Sequence, residues 1–462
     1  MSFSQTLSVG SVQEDQYRLE QLSGKIPASS FSIRPISTNL FLEEDSLNSI
    51  NGLTPKILPL RFANSKGKFN LLPVTFYQQY NSHHPYGWND GAIIPAKGYQ
   101  TKLSAGFFVK FGAISLQLQP EFVYAANNEF SGFSAGKTDQ ELKNYFTFYS
   151  AIDAPEKFGK NTYTKAFLGQ SNIMLNVGPI SGGISNENLW WGPGIQNALI
   201  FTNNAPGFLH FSIRTNKPIK TFIGNFEGEI IGGKLVNSGI SPTLNTIDSK
   251  GQNLFVSPSK EESRYISGLN INYQPKWIPG LSLGFIRTFM AYNSDINKLS
   301  DFIPIFVKLQ KKTGDQDVYP RDQRISFYTR WLLQKENAEI YFEYGLNDNS
   351  YNLRDFYLSP DHGRSYLFGF SKLIALNRKD EAIHFNAEIL QLSQSIDRLL
   401  RDAGGFYQHF QVVQGHTHNG QVLGAGTGTG GNLAGIKINW LKGLKKLGLS
   451  LDRYEHDMDY YD

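Results

Sequence analysis

Acidic side chains are the first residues in this chain that could do chemistry. Glu339 and Glu343 fall in the run AEIYFEYG and share one face of a predicted strand. Paired carboxylates of this kind are what glycoside hydrolysis requires. Arg330, in the preceding run QRISFYTRWLL, falls on the same polar face, and opposite charges pair across neighbouring strands. We therefore interpret Arg330, Glu339 and Glu343 as a charge network that lines a lumen rather than as a catalytic pair.

The other chemical motifs favour structural interpretations as well. His416 and His418 in GHTHNG would share a strand face and could ligate a metal, but no carboxylate nearby in sequence completes a set. The tract from Gly426 to Gly431 precedes a strand-like run instead of a helix, so it predicts a tight turn rather than a phosphate site. The chain has no cysteine, no G-x-S-x-G motif and no H-E-x-x-H motif. The sequence therefore predicts no enzyme activity, no metal and no cofactor.

Aromatic and amide side chains cluster in two irregular segments, NSHHPYGWNDG at 81–91 and NLWWGPGIQNALIFTNNAP at 188–206. Sugar rings stack their C–H faces on indole or phenol rings, and amide groups hydrogen-bond sugar hydroxyls. Two alternatives stay open. In the first, the clustered residues only pack a loop into a lumen, and for the two tryptophans this interpretation is slightly favoured over sugar binding. In the second, the polar loops 236–262 and 294–321 bind the glycan instead. The candidate glycan-binding residues are Tyr86, Trp88, Asn89, Asp90, Trp190, Trp191, Asn203 and Asn204.

Long alternating strands are the elements that must position these residues. Apolar side chains occupy odd positions from Tyr99 to Phe111 and even positions from Ile114 to Tyr124, on either side of a Gly-Ala turn. Such runs exceed the roughly 5–6 residues usual for a strand, and their aromatic-rich apolar faces favour a barrel over a soluble β-sandwich. No stretch approaches the roughly 18 apolar residues of a membrane-spanning helix. We predict an all-β fold, namely a transmembrane antiparallel β-barrel.

Two capping boxes predict short helices that plug or cap this barrel. They are SVQE from Ser11 and TDQE from Thr138, each followed by apolar residues at helical spacing. They predict helices near 11–23 and 138–151, and a further helix is predicted at 39–50. Charged residues are only 18% of the chain, the net charge is +4 and no long basic run is present. Nucleic acid is therefore not an expected partner.

The double-tryptophan segment resembles the signature of the capsule-assembly outer-membrane protein family (the Wzi family). PIKTFIGNFEGEIIGGKL from Pro218 and YQHFQVVQGHTHNGQVLGAGTGTGGN from Tyr407 fit the same family, and the match spans nearly the whole chain in consistent order. The resemblance implies a barrel of roughly eighteen strands with short helices at its periplasmic end. It also implies a lectin-like protein that binds and retains exported polysaccharide rather than synthesising it, and it supplies no residue-level glycan site.

These expectations define a domain division and a set of partners. Residues 1–56 are expected to form an N-terminal helical segment at the periplasmic end, and 57–462 the barrel, with a helical insertion at about 138–158. The expected partners are capsular or exported polysaccharide and the lipid of the outer membrane of a diderm bacterium, with the barrel monomeric. The alternative function is a porin for oligosaccharides or other small solutes.

Both ends of the chain depart from a simple outer-membrane barrel. The start, MSFSQTLSVGS, has no signal-peptide pattern, so we expect a mature or engineered form with an added Met. The end, EHDMDYYD, places Asp457, Asp459 and Asp462 where a barrel normally has an amphipathic closing strand. We expect either that the gene product continues by at least one strand or that a sheet edge is left exposed here.

Overall fold

The structure is a computed structural model, and strands make up most of its ordered elements. The helix predicted at 39–50 lies outside the described residues, as do Asp459 and Asp462. The residues described are 5–38, 60–64, 66–132, 136–242, 244–255, 262–303, 311–313, 316–317, 321–347, 363–376, 381–394, 405–443 and 445–457.

One antiparallel sheet of 19 strands dominates the described residues. Most strands pair with the next strand along the chain, as in successive hairpins. The predicted Gly-Ala turn is confirmed, because Phe111 pairs with Ile114 across it and Gly112 has a φ of +59°. The strands of the sheet are Leu60–Phe62, Gly67–Tyr86, Ala96–Phe111, Ile114–Leu118, Glu121–Ala125, Tyr163–Phe167, Asn172–Val177, Ile180–Ser185, His210–Thr215, Ile219–Lys220, Gly224–Leu235, Arg264–Pro275, Leu281–Tyr292, Arg321–Leu333, Ala338–Asn347, Arg364–Ala375, Glu381–Gln391, Asn432–Lys442 and Lys445–Glu455.

The strand order of this sheet returns on itself and forms a barrel. Asn172–Val177 pairs with Ile114–Leu118, and Lys445–Glu455 neighbours Leu60–Phe62. The expectation of an exposed edge at the last strand is therefore wrong, since Lys445–Glu455 also pairs with Asn432–Lys442 on its other side. The misleading signal was the acidic run beginning at Asp457, which lies beyond the strand.

The two faces of the barrel wall are inverted relative to a soluble protein. On the strand Arg321–Leu333, Arg324 and Arg330 are each only 1% exposed, whereas Phe327 is 50% and Trp331 44% exposed. A soluble β-sandwich would bury the aromatic face and hydrate the charged one, but a membrane barrel turns its apolar face to lipid. The predicted transmembrane antiparallel β-barrel is confirmed. The 19 strands in the described part of the chain compare with the roughly eighteen expected, although some are consecutive segments of one pass through the wall.

Short turns join the strands at one end of the barrel and long connections join them at the other. We call these the short-turn end, with connections such as 112–113 and 276–280, and the long-loop end, with connections such as 126–162 and 236–263. An N-terminal helix, Val12–Leu22, lies at the short-turn end, where Gln334 Nε2 donates a 3.1 Å hydrogen bond to Gln21 O. A loop helix, Asp139–Tyr149, lies at the long-loop end.

The first helix begins at half of the predicted capping box, and the second helix begins at a complete one. Ser11 Oγ accepts a hydrogen bond from the backbone N–H of Glu14. Thr138 and Glu141 cap each other reciprocally, as the sequence predicts. The other helical elements among the described residues are Leu299–Phe302 and the 3₁₀ turns Asn293–Asp295 and Gln334–Glu336. No helix among the described residues is long and apolar enough to cross a membrane.

Several segments turn inward from the wall and occupy the lumen. We define the plug as residues 87–95, 186–209 and 405–425, which pack with part of the N-terminal segment. Trp191, Phe201 and Tyr407 lie in one buried apolar cluster at its centre. The short strands outside the barrel wall are Thr6–Leu7 with Ile36–Ser37, Ile33–Arg34 with Trp190–Trp191, Lys311–Thr313 with Gln316–Asp317, and Thr417–His418 with Gln421–Val422.

Candidate functional site

The double-tryptophan segment lies inside the barrel against the N-terminal segment. Trp190–Trp191 pairs in antiparallel register with Ile33–Arg34. Trp191 is fully buried, and its indole Nε1 donates a 2.9 Å hydrogen bond to Glu229 on the wall. The Arg34 guanidinium lies 4.2 Å from the centre of the Trp190 ring, a cation–π contact. Both indoles are therefore engaged in packing the lumen.

Two arginines of the N-terminal segment fix the Gly-Pro-Gly turn that follows. Arg18 Nη2 donates to Pro193 O at 2.7 Å, and Arg34 Nη2 donates to Gly194 O at 2.9 Å. Gly192 has a φ of +126°, and a Cβ at this position would lie 2.7 Å from the Glu343 carboxylate. Only glycine fits here, so the turn is shaped for close approach to the wall.

Wall glutamates accept hydrogen bonds from the backbone just after this turn. Glu388 Oε2 accepts from the backbone N–H groups of Ile195 and Gln196 at 3.0 and 3.1 Å. Glu343 accepts from the backbone N–H of Leu199 at 3.2 Å. An irregular backbone buried in a lumen must find such partners, because unpaired peptide groups are costly. The wall carboxylates thus hold the plug in place.

The predicted charge network is built around Glu339. Arg330 Nη2 lies 2.6 Å from one carboxylate oxygen, and Arg18 Nε lies 2.9 Å from the other. All three side chains are buried, so losing one partner would leave an uncompensated charge. Arg18, from the N-terminal helix, was missed because no sequence signal links it to a position 321 residues away. Glu343 serves the plug backbone instead of pairing with Arg330.

The first candidate segment contributes one exposed residue and two plug contacts. Tyr86, at the end of the strand Gly67–Tyr86, is 54% exposed. Trp88 Nε1 and Asn89 Nδ2 both donate to the backbone oxygen of Gln196, at 3.3 and 2.6 Å. The segment 87–95 is therefore tied to the double-tryptophan segment.

Asp90 is buried in the same inward segment. Lys102 Nζ donates to its backbone oxygen at 2.8 Å. Burial raises the pKa of the Asp90 carboxyl to about 6, and the positive charge of Lys102 opposes that rise. Ionisation of Asp90 therefore disfavours the folded plug.

Asn203 and Asn204 connect the inward segments to one another. Asn203 Nδ2 donates to Asn89 O at 2.8 Å, and its Oδ1 accepts from Asn188 at 2.7 Å. Asn204 Nδ2 donates to Val422 O at 3.1 Å. The candidates other than Tyr86 thus meet in one interior body. This position supports the packing interpretation, and their role in glycan binding stays a prediction.

The third inward segment, 405–425, is held by wall arginines and by its own Tyr407, whose roles the sequence analysis missed. Arg324 Nε donates to Phe406 O at 2.9 Å, and Arg264 Nη1 donates to Gly415 O at 2.5 Å. Tyr407 OH donates to the backbone oxygen of Leu199 at 2.9 Å. Only alternation could have indicated these arginines, since it places them on the polar face of their strands.

The two histidines singled out from sequence are part of this packing. His416 Nε2 lies 2.7 Å from Ile200 O, and the His416 ring stacks on Tyr407 with ring centres 5.9 Å apart. Burial lowers the pKa of His416, and it lowers that of His418 to about 3, so both rings are neutral. Within the described ranges, no three His, Asp or Glu side chains are grouped to hold a metal.

Comparisons with known proteins agree with this architecture. The family model of the capsule assembly protein Wzi matches residues 82–459. The fold is similar to Wzi of Escherichia coli, described as a carbohydrate-binding β-barrel and an outer membrane protein involved in group 1 capsule assembly. That similarity has a TM-score of 0.61 at 14% identity and covers 98% of this chain and 86% of that one.

Two other outer-membrane barrels are far less similar. A BenF-like porin of Pseudomonas fluorescens Pf-5 has a TM-score of 0.28 at 10% identity, over 84% of this chain and 94% of that one. OmpT of Vibrio cholerae has a TM-score of 0.28 at 7% identity, over 86% and 100% of the two chains. No match was found among curated proteins. Because the family model covers most of its length, the chain belongs to the capsule assembly protein Wzi family.

Proposed function

We propose that this protein is an outer-membrane lectin that binds capsular or related exported polysaccharide and retains it at the cell surface. Membership of the capsule assembly family supports this function, and the exposed aromatic side chains on the outer face of the wall support the location. In outer-membrane barrels the short turns face the periplasm, so the long-loop end is the face presented to exported polymer.

The occupied lumen is the observation that carries the proposal. Arg330, Glu339 and Glu343 are exposed by 1% or less, because the plug and the N-terminal helix cover them. A porin needs an open polar lumen lined by hydrated side chains. Retention of a ligand at the barrel's outer end suits this architecture better than conduction of solutes through it.

Multivalency supplies a physical route to retention. A repeating polymer presents many equivalent sugars, so weak contacts at one protein are multiplied along the polymer and over many copies of the protein. Tyr86 is exposed at a strand end toward the long loops and offers one such contact. The more buried candidates, such as Trp88 and Asn89, shape the surface behind it.

We infer that the protein is not an enzyme and needs no cofactor. Glu339 lies between two arginines, and Glu343 is engaged by Leu199 and Ser326, so neither carboxylate faces a substrate. Incubation of the purified protein with its polysaccharide should release no reducing ends. Release that is lost in Glu343→Gln would contradict this inference.

We also propose that the barrel is monomeric, embedded in outer-membrane lipid, and independent of nucleic acid. Trp277, in a turn at the short-turn end, is 69% exposed and follows Lys276. Indole and ammonium groups are favoured at a membrane interface, so this turn supports anchoring at the lipid boundary.

A binding measurement tests the proposed function. The folded protein is immobilised in detergent and exposed to surface polysaccharide purified from its own organism, with dextran as the unrelated control polymer. We expect saturable binding of the organism's polysaccharide and none of dextran. Equal signals for the two polymers, or no signal for either, would contradict the lectin function.

A further inference from the structure

A cavity of about 260 Å³ lies at the long-loop end, between the loop helix and the plug segment 405–425. Its walls come from the loop helix and residues 150–157, from the connection 237–242, from Phe255, and from the plug residues Val413 and Gln414. Ligand pockets for drug-sized molecules are roughly 300–1,000 Å³, so this space suits a smaller ligand about the size of one sugar ring.

Two tyrosines one helical turn apart form an apolar wall of this cavity. The rings of Tyr145 and Tyr149 stack with centres 4.5 Å apart and planes 26° apart. Phe255 lines the cavity as well, and its ring meets Phe146 edge-on at 6.1 Å. Flat aromatic surfaces of this kind accept the C–H face of a pyranose ring.

Hydrogen bonds between the loops hold the cavity's polar groups in position. Asp153 accepts from the backbone N–H and the hydroxyl of Ser238, at 2.7 and 2.5 Å. Tyr145 OH donates to Glu156 at 3.2 Å. At the start of the loop helix, Asp139 accepts a 3.1 Å hydrogen bond from the backbone N–H of Ser249. The cavity is thus preorganised, which lowers the entropic cost of binding.

Charge restricts which sugar the cavity can accept. Asp153, Glu156 and Lys157 all line it, and the Lys157 ammonium is paired in a salt bridge with Glu129, which lies outside the lining. The two carboxylates therefore dominate the charge that the cavity presents. The acidic lining repels carboxylate- or phosphate-bearing sugars. Carboxylates accept strong hydrogen bonds from hydroxyl groups, so an uncharged sugar is favoured.

We propose that this cavity binds one uncharged sugar residue of the polysaccharide, stacked on the tyrosine pair with its hydroxyls donating to the acidic side chains. The inference rests on the proposed lectin function and assigns that function a site. None of the cavity's residues is among the eight named candidates, but residues 237–242 and Phe255 belong to the loop 236–262 that the sequence offered as the alternative.

The experiment compares variants of the full chain, folded in detergent. The probe is the organism's own surface polysaccharide, both as isolated and after carbodiimide–borohydride reduction of its carboxylates to hydroxymethyl groups. Tyr149→Ala should weaken binding of both forms about tenfold, because the stacking surface is lost. Tyr149→Phe keeps the ring and should bind like the unaltered protein. Thr147→Ala, an exposed change on the same helix outside the cavity, is the matched control.

The outcomes separate this site from the general function. If the unaltered protein binds neither polymer form, the lectin function fails and the site fails with it. If the protein binds and Tyr149→Ala, shown to be folded by heat-modifiable gel mobility, binds equally well, only the site is overturned. Loss of Tyr149-dependent binding after carboxyl reduction would also overturn it, because the recognised sugar would then be acidic.

Discussion

Carboxylates inside this barrel bind peptide groups of the plug. Glu388 accepts two consecutive backbone N–H groups, and Glu343 accepts a third from Leu199. In water such hydrogen bonds contribute little, but in a sealed lumen each unmade bond costs roughly 1–3 kcal/mol. Glu343, one of the two acidic residues that first suggested hydrolysis, therefore anchors irregular backbone that must be held away from water, while Glu339 pairs with Arg18 and Arg330.

Asp90 gives a residue-scale prediction in which stability depends on pH. Burial raises the pKa of Asp90 from 3.8 to about 6, because the folded protein favours the protonated carboxyl. The contribution of this protonated group to the free energy of unfolding is therefore complete below pH 3.8 and is lost as the pH rises through 6. Asp90→Asn removes the charge and should stabilise the folded protein at pH 7.5 by up to roughly 3 kcal/mol, with little effect at pH 4. Urea-unfolding midpoints in detergent at the two pH values check this. An equal shift at both would contradict it.

At the element scale, the plug fits the wall through complementary shapes. Gly268 on the strand Arg264–Pro275 leaves room for the Trp191 ring, and a Cβ there would lie 2.8 Å from indole carbon Cζ3. A wall residue with any side chain would press on the double-tryptophan segment. The close contact explains a glycine in the middle of a strand, where it otherwise weakens the sheet.

Gly268→Ala should therefore loosen the plug at a cost of roughly 1–3 kcal/mol. Gly182→Ala is the matched control, because a Cβ there would meet Ile213 only at an ordinary distance of 3.7 Å. Hydrogen–deuterium exchange over residues 186–209 measures the effect. We expect faster exchange in Gly268→Ala and unchanged exchange in Gly182→Ala. Unchanged exchange in Gly268→Ala would contradict the prediction, because the Trp191 indole would then not need the space beside Gly268.

The outer face of the wall gives a second element-scale prediction. Phe107 shares the face of exposed Leu103 and Phe111 and stacks on Phe69 with ring centres 5.8 Å apart. Phe107→Arg should cost roughly 2–4 kcal/mol near the bilayer midplane, whereas Tyr99→Arg near the strand end should cost about 0–1 kcal/mol. Unfolding titrations in lipid vesicles compare the two. Equal costs would place Phe107 away from the hydrocarbon.

Local patterns predicted the wall, the helix starts and the packing of the double-tryptophan segment into the lumen, but not the contacts that hold the plug. Alternation places Arg324 and Arg330 on one face because side chains two apart share a face, and capping boxes need only four consecutive residues. The contacts that hold the plug join distant positions, such as Arg18 and Glu339, 321 apart, or Gln196 and Glu388, 192 apart. Pairings at that distance leave no periodic trace in one sequence.

The candidate site shows the same limit. Trp190 and Trp191 were recognisable as important from their Gly-Pro-Gly context, yet burial by Arg34 and Glu229 could not be foreseen. Tyr145 and Tyr149 were recognisable at helical spacing. The cavity beside them exists only because the connection 237–242 folds against the helix.

At the scale of the whole molecule, the filled lumen predicts that the barrel does not conduct ions. The plug and N-terminal helix bury polar wall residues such as Arg324, Arg330 and Glu388, so purified protein in planar bilayers should show no steady single-channel conductance. BenF-like porin under the same conditions is the open-channel comparison. A stable conductance of porin size would contradict the filled lumen and favour transport of small solutes.

Retention of polymer on living cells tests the central claim most directly. The gene is deleted, and polysaccharide is measured separately on washed cells and in the medium, with the unaltered gene restored as control. The account predicts that total polysaccharide is unchanged while the cell-associated share falls and the released share rises, with reversal on complementation. Cell-associated polysaccharide that stays at its original level after deletion would contradict the account.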